Sequence, residues 1–133
     1  MITSTFIIAT IAYIVFNFVF ALVWNLVLFK KQYAEMTGTT AREKPIILLG
    51  LAAIVVQALT LSVLFSLFYK GLHPISQGLM FGLLLGSYST VYGAFVVPAK
   101  FNIAPIWKYA ILELVYGVLN FGIAGIMLAY IFV

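Results

Sequence analysis

The sequence predicts an all-α integral membrane protein, an up-down bundle of four transmembrane helices that forms a single domain over residues 1–133. Of the 133 residues, 65% are hydrophobic and only 8% are charged. A soluble domain of this length has too little interior to hide so much apolar surface. Four apolar runs each exceed the ~20 residues that a helix needs to cross a bilayer core. The connections between them are short or bounded by prolines, as is typical of antiparallel neighbours.

The predicted spans follow from these apolar runs, and the flanking residues indicate where each helix begins or ends. The first three runs contain no charged residue, and only the fourth carries Lys108 and Glu113. Gly38 is expected to end an extension of the first helix beyond the bilayer. Pro45 is expected to be the first residue of the second helix, a position where its missing N–H costs nothing. The four spans are Phe6–Phe29, Pro45–Tyr69, Ile75–Val97 and Trp107–Val133.

The distribution of lysine and arginine predicts the orientation, because loops on the cytoplasmic side carry more of them. Six of the seven lie in the first connection, in the third connection or at the start of the fourth span, and only Lys70 lies in the second connection. We therefore expect the first and third connections in the cytoplasm and both termini outside. The net charge of +4 is explained by these loops, so it does not indicate a nucleic-acid surface.

A row of small residues in the third span predicts close helix packing. Gly78, Gly82 and Gly86 recur every four residues, and Gly117 lies in the fourth span. In lipid, helices associate through close backbone approach rather than through the hydrophobic effect. The row is expected to contact either a second subunit, in an oligomer, or a neighbouring helix of the same chain.

Polar residues within the spans recur at helical spacing and form the candidate site. Helix direction places three of them near the midplane and the others in the cytoplasmic half. One interpretation is a polar pathway or binding site, and the other is hydrogen bonding that holds the helices together. The candidates are Asn17, Gln57 and Asn120 near the midplane, and Asn25, Tyr88, Tyr92 and Glu113 nearer the cytoplasm.

Glu113 is the most informative of these candidates, because an ionisable residue within a span is costly to insert and marks a functional site by default. It follows Trp107, an expected interfacial residue, by six positions, which corresponds to a depth of about 9 Å. Water, Lys100 or a tyrosine hydroxyl are the partners that this depth allows. Lys108 is not expected to pair with it, since five positions place the two side chains on nearly opposite faces.

The chain also resembles a known group of proteins. The resemblance rests on the first-helix end Trp24–Tyr33, which reads WNLVLFKKQY, and on the pattern of Gly78, Gly82, Gly86, Tyr88 and Tyr92 in the third span. These features are similar to those of small four-helix bacterial membrane proteins of the domain-of-unknown-function type. The resemblance implies the four-helix fold and a bacterial inner membrane, and it implies no activity. The chain departs from one such group in having Val23, not an acidic residue, before Trp24.

The composition narrows the function classes. With no cysteine and a single histidine, thiol chemistry and a His or Cys metal centre are not expected. No nucleophile–base pair follows from local spacing, so we expect no enzymatic activity, no catalytic residue, no cofactor and no metal. One hypothesis is an oligomeric transporter or channel for a small solute or ion, coupled to protons. The alternative is a non-catalytic accessory, lipid-sensing or assembly subunit of a larger membrane complex. Both have membrane lipids as partners.

Overall fold

The structure is a computed structural model, and it describes residues 2–133. It is all-helical over those residues, and four of its helices are long and apolar enough to cross a membrane. We label the helices α1 (Ser4–Leu28), α2 (Lys30–Thr37), α3 (Ile47–Phe68), α4 (Pro74–Lys100) and α5 (Ile106–Ile131). The predicted number of long helices is therefore confirmed. The short α2 lies within the first predicted connection.

Two of the long helices contain a π-helical segment. In α1 it covers Val23–Leu28 and is closed by a bond from the Phe29 N–H to the Trp24 carbonyl, 3.1 Å long. In α4 it covers Tyr92–Val96 and comes shortly before Pro98, which lacks the N–H that a regular helix would use. The widened turn lets α4 continue through Pro98 to Lys100. The prediction that the connection begins at Pro98 is thus wrong by three residues.

The ends of the other helices differ from expectation by small amounts. Gly38 has φ +51°, and α2 ends at the residue before it, so the predicted stop is confirmed. The start at Pro45 is wrong, because Ile46 has φ −83° and ψ 87° and α3 begins at Ile47. Phe29, with φ −121° and ψ 18°, interrupts the helix between α1 and α2.

The tightest helix pair is α4 with α5, and the glycine row lies between them. Gly78 packs beside Gly125, and Gly82 beside Phe121. A Cβ atom at Gly78 would lie only 2.6 Å from the Gly125 carbonyl oxygen, which leaves no room for a side chain. The row therefore contacts a neighbouring helix of the same chain, the second of the two expected interpretations.

The apolar core lies where α1, α3 and α5 meet, towards the end of the bundle that holds the turn between α3 and α4. Phe65 and Leu128 are fully buried there. Towards the other end α3 separates from its neighbours: every residue from Ile46 to Gly50 is exposed, and Gly50 has no atom near the position of an added Cβ. Near this opening, Gln57, Thr60, Tyr88 and Ser89 help to line a cleft of about 150 Å³.

Candidate functional site

Asn17 is the centre of a hydrogen-bonded polar network that joins three helices. It lies on α1 with 2% of its surface exposed. Its side-chain N–H₂ donates to the Tyr13 hydroxyl at 2.6 Å and to Gln57 Oε1, on α3, at 3.3 Å. Its Oδ1 accepts a bond of 3.3 Å from the Tyr116 hydroxyl on α5. The Tyr13 hydroxyl also donates to Gln57 Oε1 at 3.2 Å, so one amide organises contacts to both neighbouring helices.

Asn120 extends the network along α5 and leaves one polar atom without a partner. Its side-chain N–H₂ donates to the Tyr116 hydroxyl over 3.5 Å, the long end of the hydrogen-bond range. Its Oδ1 is buried and has no hydrogen-bond partner among the described residues. The structure thus brings together Asn17, Gln57 and Asn120, the three candidates expected near the midplane. Asn17 bonds directly to Gln57, and the Tyr13 and Tyr116 hydroxyls make the other hydrogen bonds of the network, which is the arrangement that the helix-packing interpretation predicts.

Glu113 does not join this network, and it forms a separate site with Trp24 and Tyr33. The Tyr33 hydroxyl donates to Glu113 Oε1 at 2.6 Å, and the Trp24 indole N–H donates to the same hydroxyl at 3.1 Å. A tyrosine hydroxyl is therefore the partner, rather than Lys100. Within residues 2–133 the one ion pair joins Lys31 to Glu35, so Glu113 has no cationic partner there.

The π-helical segments of α1 and α4 supply two walls of this site. Trp24 belongs to the first segment, and Gly93 belongs to the second. A Cβ atom at Gly93 would lie 3.4 Å from Glu113 Oε2, so the glycine backbone borders the carboxylate closely. Single π-helical turns within longer helices occur frequently at functional sites. We call Trp24, Tyr33, Gly93, Tyr109 and Glu113 the Glu113 pocket.

Further aromatic side chains lie close to the carboxylate. The rings of Tyr33 and Tyr109 meet edge to face with centroids 6.0 Å apart. The rings of Trp24 and Tyr116 lie 5.8 Å apart, and Glu113 is within electrostatic range of the Tyr109 and Tyr116 hydroxyls. Trp24 is buried, whereas Glu113 and both tyrosines of the pocket are half-buried. The site is therefore largely apolar in its walls and carries a single ionisable acid.

The helix α2, which lies outside the four long spans, brings Tyr33 to the pocket. Burial raises the pKa of the Tyr33 phenol above its ordinary value, and the hydrogen bond and charge of Glu113 raise it further. The phenol consequently stays protonated at neutral pH and keeps donating its hydrogen to the carboxylate.

Three predicted candidates are exposed and make no hydrogen bond to either group, although Tyr88 lines the same cleft as Gln57. Asn25 donates back to the Ala21 carbonyl of its own helix at 2.9 Å. Tyr88 is 85% exposed, because it lies two positions from Gly86 and so faces away from α5. The Tyr92 hydroxyl accepts a 3.0 Å hydrogen bond from Lys100 Nζ at the end of α4. The structure therefore does not include these three side chains in either hydrogen-bonded group.

The candidate site also contains residues that the sequence pattern did not select. In the sequence, Trp24 and Tyr33 belong only to the first-helix end that carries the resemblance, and Tyr109 belongs to no motif. The spacing of Trp24 and Tyr33 does not predict the pocket, since the helix is interrupted at Phe29 and the chain changes direction between them. A useful signal is the polar stretch after the first span, in which the predicted stop at Gly38 leaves room for one short helix.

Comparisons of the chain with family models, with curated proteins and with solved structures give no match. Within residues 2–133 there is also no group of three or more His, Cys, Asp or Glu side chains that could hold a metal ion. The site itself offers a hydrogen-bonded carboxylate among aromatic side chains.

Proposed function

We propose that the chain is an integral protein of a bacterial inner membrane that transports a small solute or ion, coupled to protons, as an oligomer. The observation that carries this proposal is Glu113, a carboxylate inside an apolar span with no cationic partner among residues 2–133. A charge in such a place is costly, and function is the usual reason for retaining it. Gain or loss of a proton, or exchange for a cationic solute, would neutralise it.

The proposed arrangement in the membrane is an up-down bundle with membrane lipids around it. The connection that contains α2 and the connection between α4 and α5 face the cytoplasm, and both termini face outside. The charge bias supports this orientation, because these two positively charged connections lie at one end of the bundle, where the Ala104 N–H donates to the Met36 carbonyl. Glu113 then exchanges protons with the cytoplasmic side.

An oligomer is proposed because four helices around a filled core leave little room for a path. Phe65 and Leu128 occupy the centre of the bundle at one end. At the other end the cleft beside Gln57 is open between α3 and α4, where a second copy would complete a wall.

The exposed first half of α3 also supports the second candidate function, an accessory or assembly subunit of a larger membrane complex. Gly50 has open space around it, and Ala53 is exposed. Small residues on an unpartnered helix face permit close packing of a partner helix. This function needs no titrating carboxylate, so the two candidates differ in their dependence on Glu113.

Cysteine labelling tests the proposed orientation. Gly38→Cys is expected to react only with reagents that enter the cytoplasm, and His73→Cys is expected to react from outside in sealed cells. Both positions are exposed in the structure, and the natural chain has no cysteine. Reaction of Gly38→Cys with an impermeant reagent would overturn the orientation, and accessibility in lysed cells serves as the control for each variant.

Glu113→Gln tests the transport proposal in proteoliposomes. The substitution keeps the shape and the hydrogen-bonding capacity of the side chain but removes its titration. We expect the variant to fold and to lose pH-dependent solute flux, measured with a panel of radiolabelled solutes and an internal pH dye.

The matched control is Glu35→Gln, which alters an exposed carboxylate paired with Lys31 at 4.0 Å. Flux should be unchanged in that variant. Equal flux in the wild-type protein and in Glu113→Gln would refute a coupling role for Glu113. A wild-type protein with no flux across the panel would favour the accessory-subunit function, which co-purification in mild detergent would then test.

A further inference from the structure

The Glu113 pocket has the composition of a site for an organic cation. It presents one carboxylate, and the side chains around it are tyrosines and a tryptophan, with the Gly93 backbone, rather than further carboxylates. Divalent metal ions prefer several oxygen ligands, and no such group exists within residues 2–133. Aromatic faces attract quaternary ammonium groups and similar cations, and this attraction strengthens where water is excluded.

The aromatic walls belong to one continuous cluster. The Trp24 ring stacks on Phe20 at 6.0 Å and meets Phe29 at 4.5 Å between centroids. Tyr33 connects this cluster to Glu113 through its two hydrogen bonds. A cation beside the carboxylate would therefore meet an opposite charge and lie close to several aromatic side chains.

We propose that the Glu113 pocket binds an organic cation, and that the Tyr33 hydroxyl occupies the place of this cation when the pocket is empty. The proposal rests on the proposed transport function and names the class of its solute. The Tyr33 hydroxyl is a neutral donor in the position where a positively charged group would satisfy Glu113 fully. Binding then requires Tyr33 to give up its bond to the carboxylate.

This exchange requires α2 to move relative to Glu113. Residues with non-helical backbone angles bound α2 on both sides, Phe29 before it and Gly38 after it. Its last turn is held against the loop before α5 by a 3.1 Å bond from the Ala104 N–H to the Met36 carbonyl and by the buried Met36 side chain. The proposed movement is therefore a small one, in which the first turn of α2 withdraws Tyr33 from Glu113.

Fluorescence of Trp24 can report binding at the pocket directly. The chain has two tryptophans, and Trp107 is exposed, so Trp107→Phe leaves Trp24 as the sole reporter. The probe is tetraphenylphosphonium, added to the purified full-length protein in detergent, with protein-free micelles measured in parallel. The matched control probe is tetraphenylborate, which has the same shape and the opposite charge.

We expect saturable quenching of Trp24 by tetraphenylphosphonium and none that saturates with tetraphenylborate. In the Trp107→Phe background, Glu113→Gln should weaken cation binding by about tenfold or more, and Glu35→Gln should leave it unchanged. Tyr33→Phe should tighten binding, because it removes the hydroxyl that competes for the carboxylate. Circular dichroism and size-exclusion chromatography confirm that each variant is folded.

The outcomes separate this inference from the transport proposal. No saturable quenching, equal binding of both probes, or full binding by folded Glu113→Gln would each overturn the cation site. If flux depends on pH and on Glu113 but no cation binds, the transport proposal is retained and the cation site is overturned. Binding that needs Glu113 without any flux would retain the cation site and overturn the transport proposal. Should Glu113→Gln not fold, the comparison of the two probes on the unmutated pocket decides.

Discussion

Gly82→Ile is expected to destabilise the folded protein by about 3 kcal/mol, at the upper end of the usual range for overpacking. A Cβ atom at Gly82 would overlap the Phe121 carbonyl oxygen and lie 2.9 Å from the Phe121 carbonyl carbon. These are backbone atoms of α5, so relief requires α4 and α5 to move apart. Such a movement would also lose the neighbouring contact between Gly78 and Gly125.

The measurement is the unfolding midpoint in mixed micelles, read by circular dichroism, with Gly50→Ile as the matched control. Gly50 also lies within a long helix, but it has no atom within 4 Å of the Cβ position. The control therefore carries the same change in side chain and helix propensity without the clash. Equal midpoints for wild-type protein and Gly82→Ile would mean that the glycine row faces lipid and does not contact α5.

The number and position of the long helices could be predicted because apolar length is a property of local sequence. Even so, two features at the helix ends were not predictable from it. The helix α4 runs through Pro98 only because a π-helical turn precedes the proline. The start of α3 at Ile47 depends on the backbone angles of Ile46, and the residue type isoleucine does not specify these angles.

The polar network was partly predictable for the same reason. Helical spacing puts Tyr13 and Asn17 on one face of α1, and Tyr116 and Asn120 on one face of α5. The depth argument correctly placed Gln57 at their level, and the structure joins it to Asn17. Gly50, Ala53 and Thr60 share a face of α3 with Gln57 by helical spacing, but they are exposed, since α3 buries the neighbouring face instead.

The Glu113 pocket was harder to predict from the sequence, because its members come from four helices and from both sides of the helix interruption at Phe29. The sequence singles out Glu113 as costly, but it does not identify the partner. Tyr33 lies 80 positions away in the chain and reaches the carboxylate only through the placement of α2. The role of Gly93 depends on the π-helical turn that contains it.

Asn17→Leu and Asn120→Leu are expected to change stability in different directions, although both replace a buried asparagine with an apolar residue of similar size. Asn17 makes hydrogen bonds to Tyr13, Gln57 and Tyr116. Its replacement should lower the free energy of unfolding by about 1–3 kcal/mol, because interhelical hydrogen bonds in membranes average ~0.6 kcal/mol each and the partners left unpaired add a further cost. Asn120 makes one bond of 3.5 Å and buries an oxygen with no partner. Its replacement removes this unpaired buried oxygen and should leave the free energy of unfolding unchanged or raise it.

Unfolding midpoints of the two variants, measured side by side in the same micelles, test this difference in sign. The comparison is internally controlled, because side-chain volume, burial and helix environment are closely matched: the asparagines are 2% and 1% exposed. An Asn120→Leu variant as unstable as Asn17→Leu would show that a bound water or solute satisfies the Asn120 oxygen. The network would then bind a water or solute in addition to holding the helices together. A stable Asn120→Leu variant beside a weakened Asn17→Leu variant assigns the network to helix packing and leaves Glu113 as the group on which the proposed transport would depend.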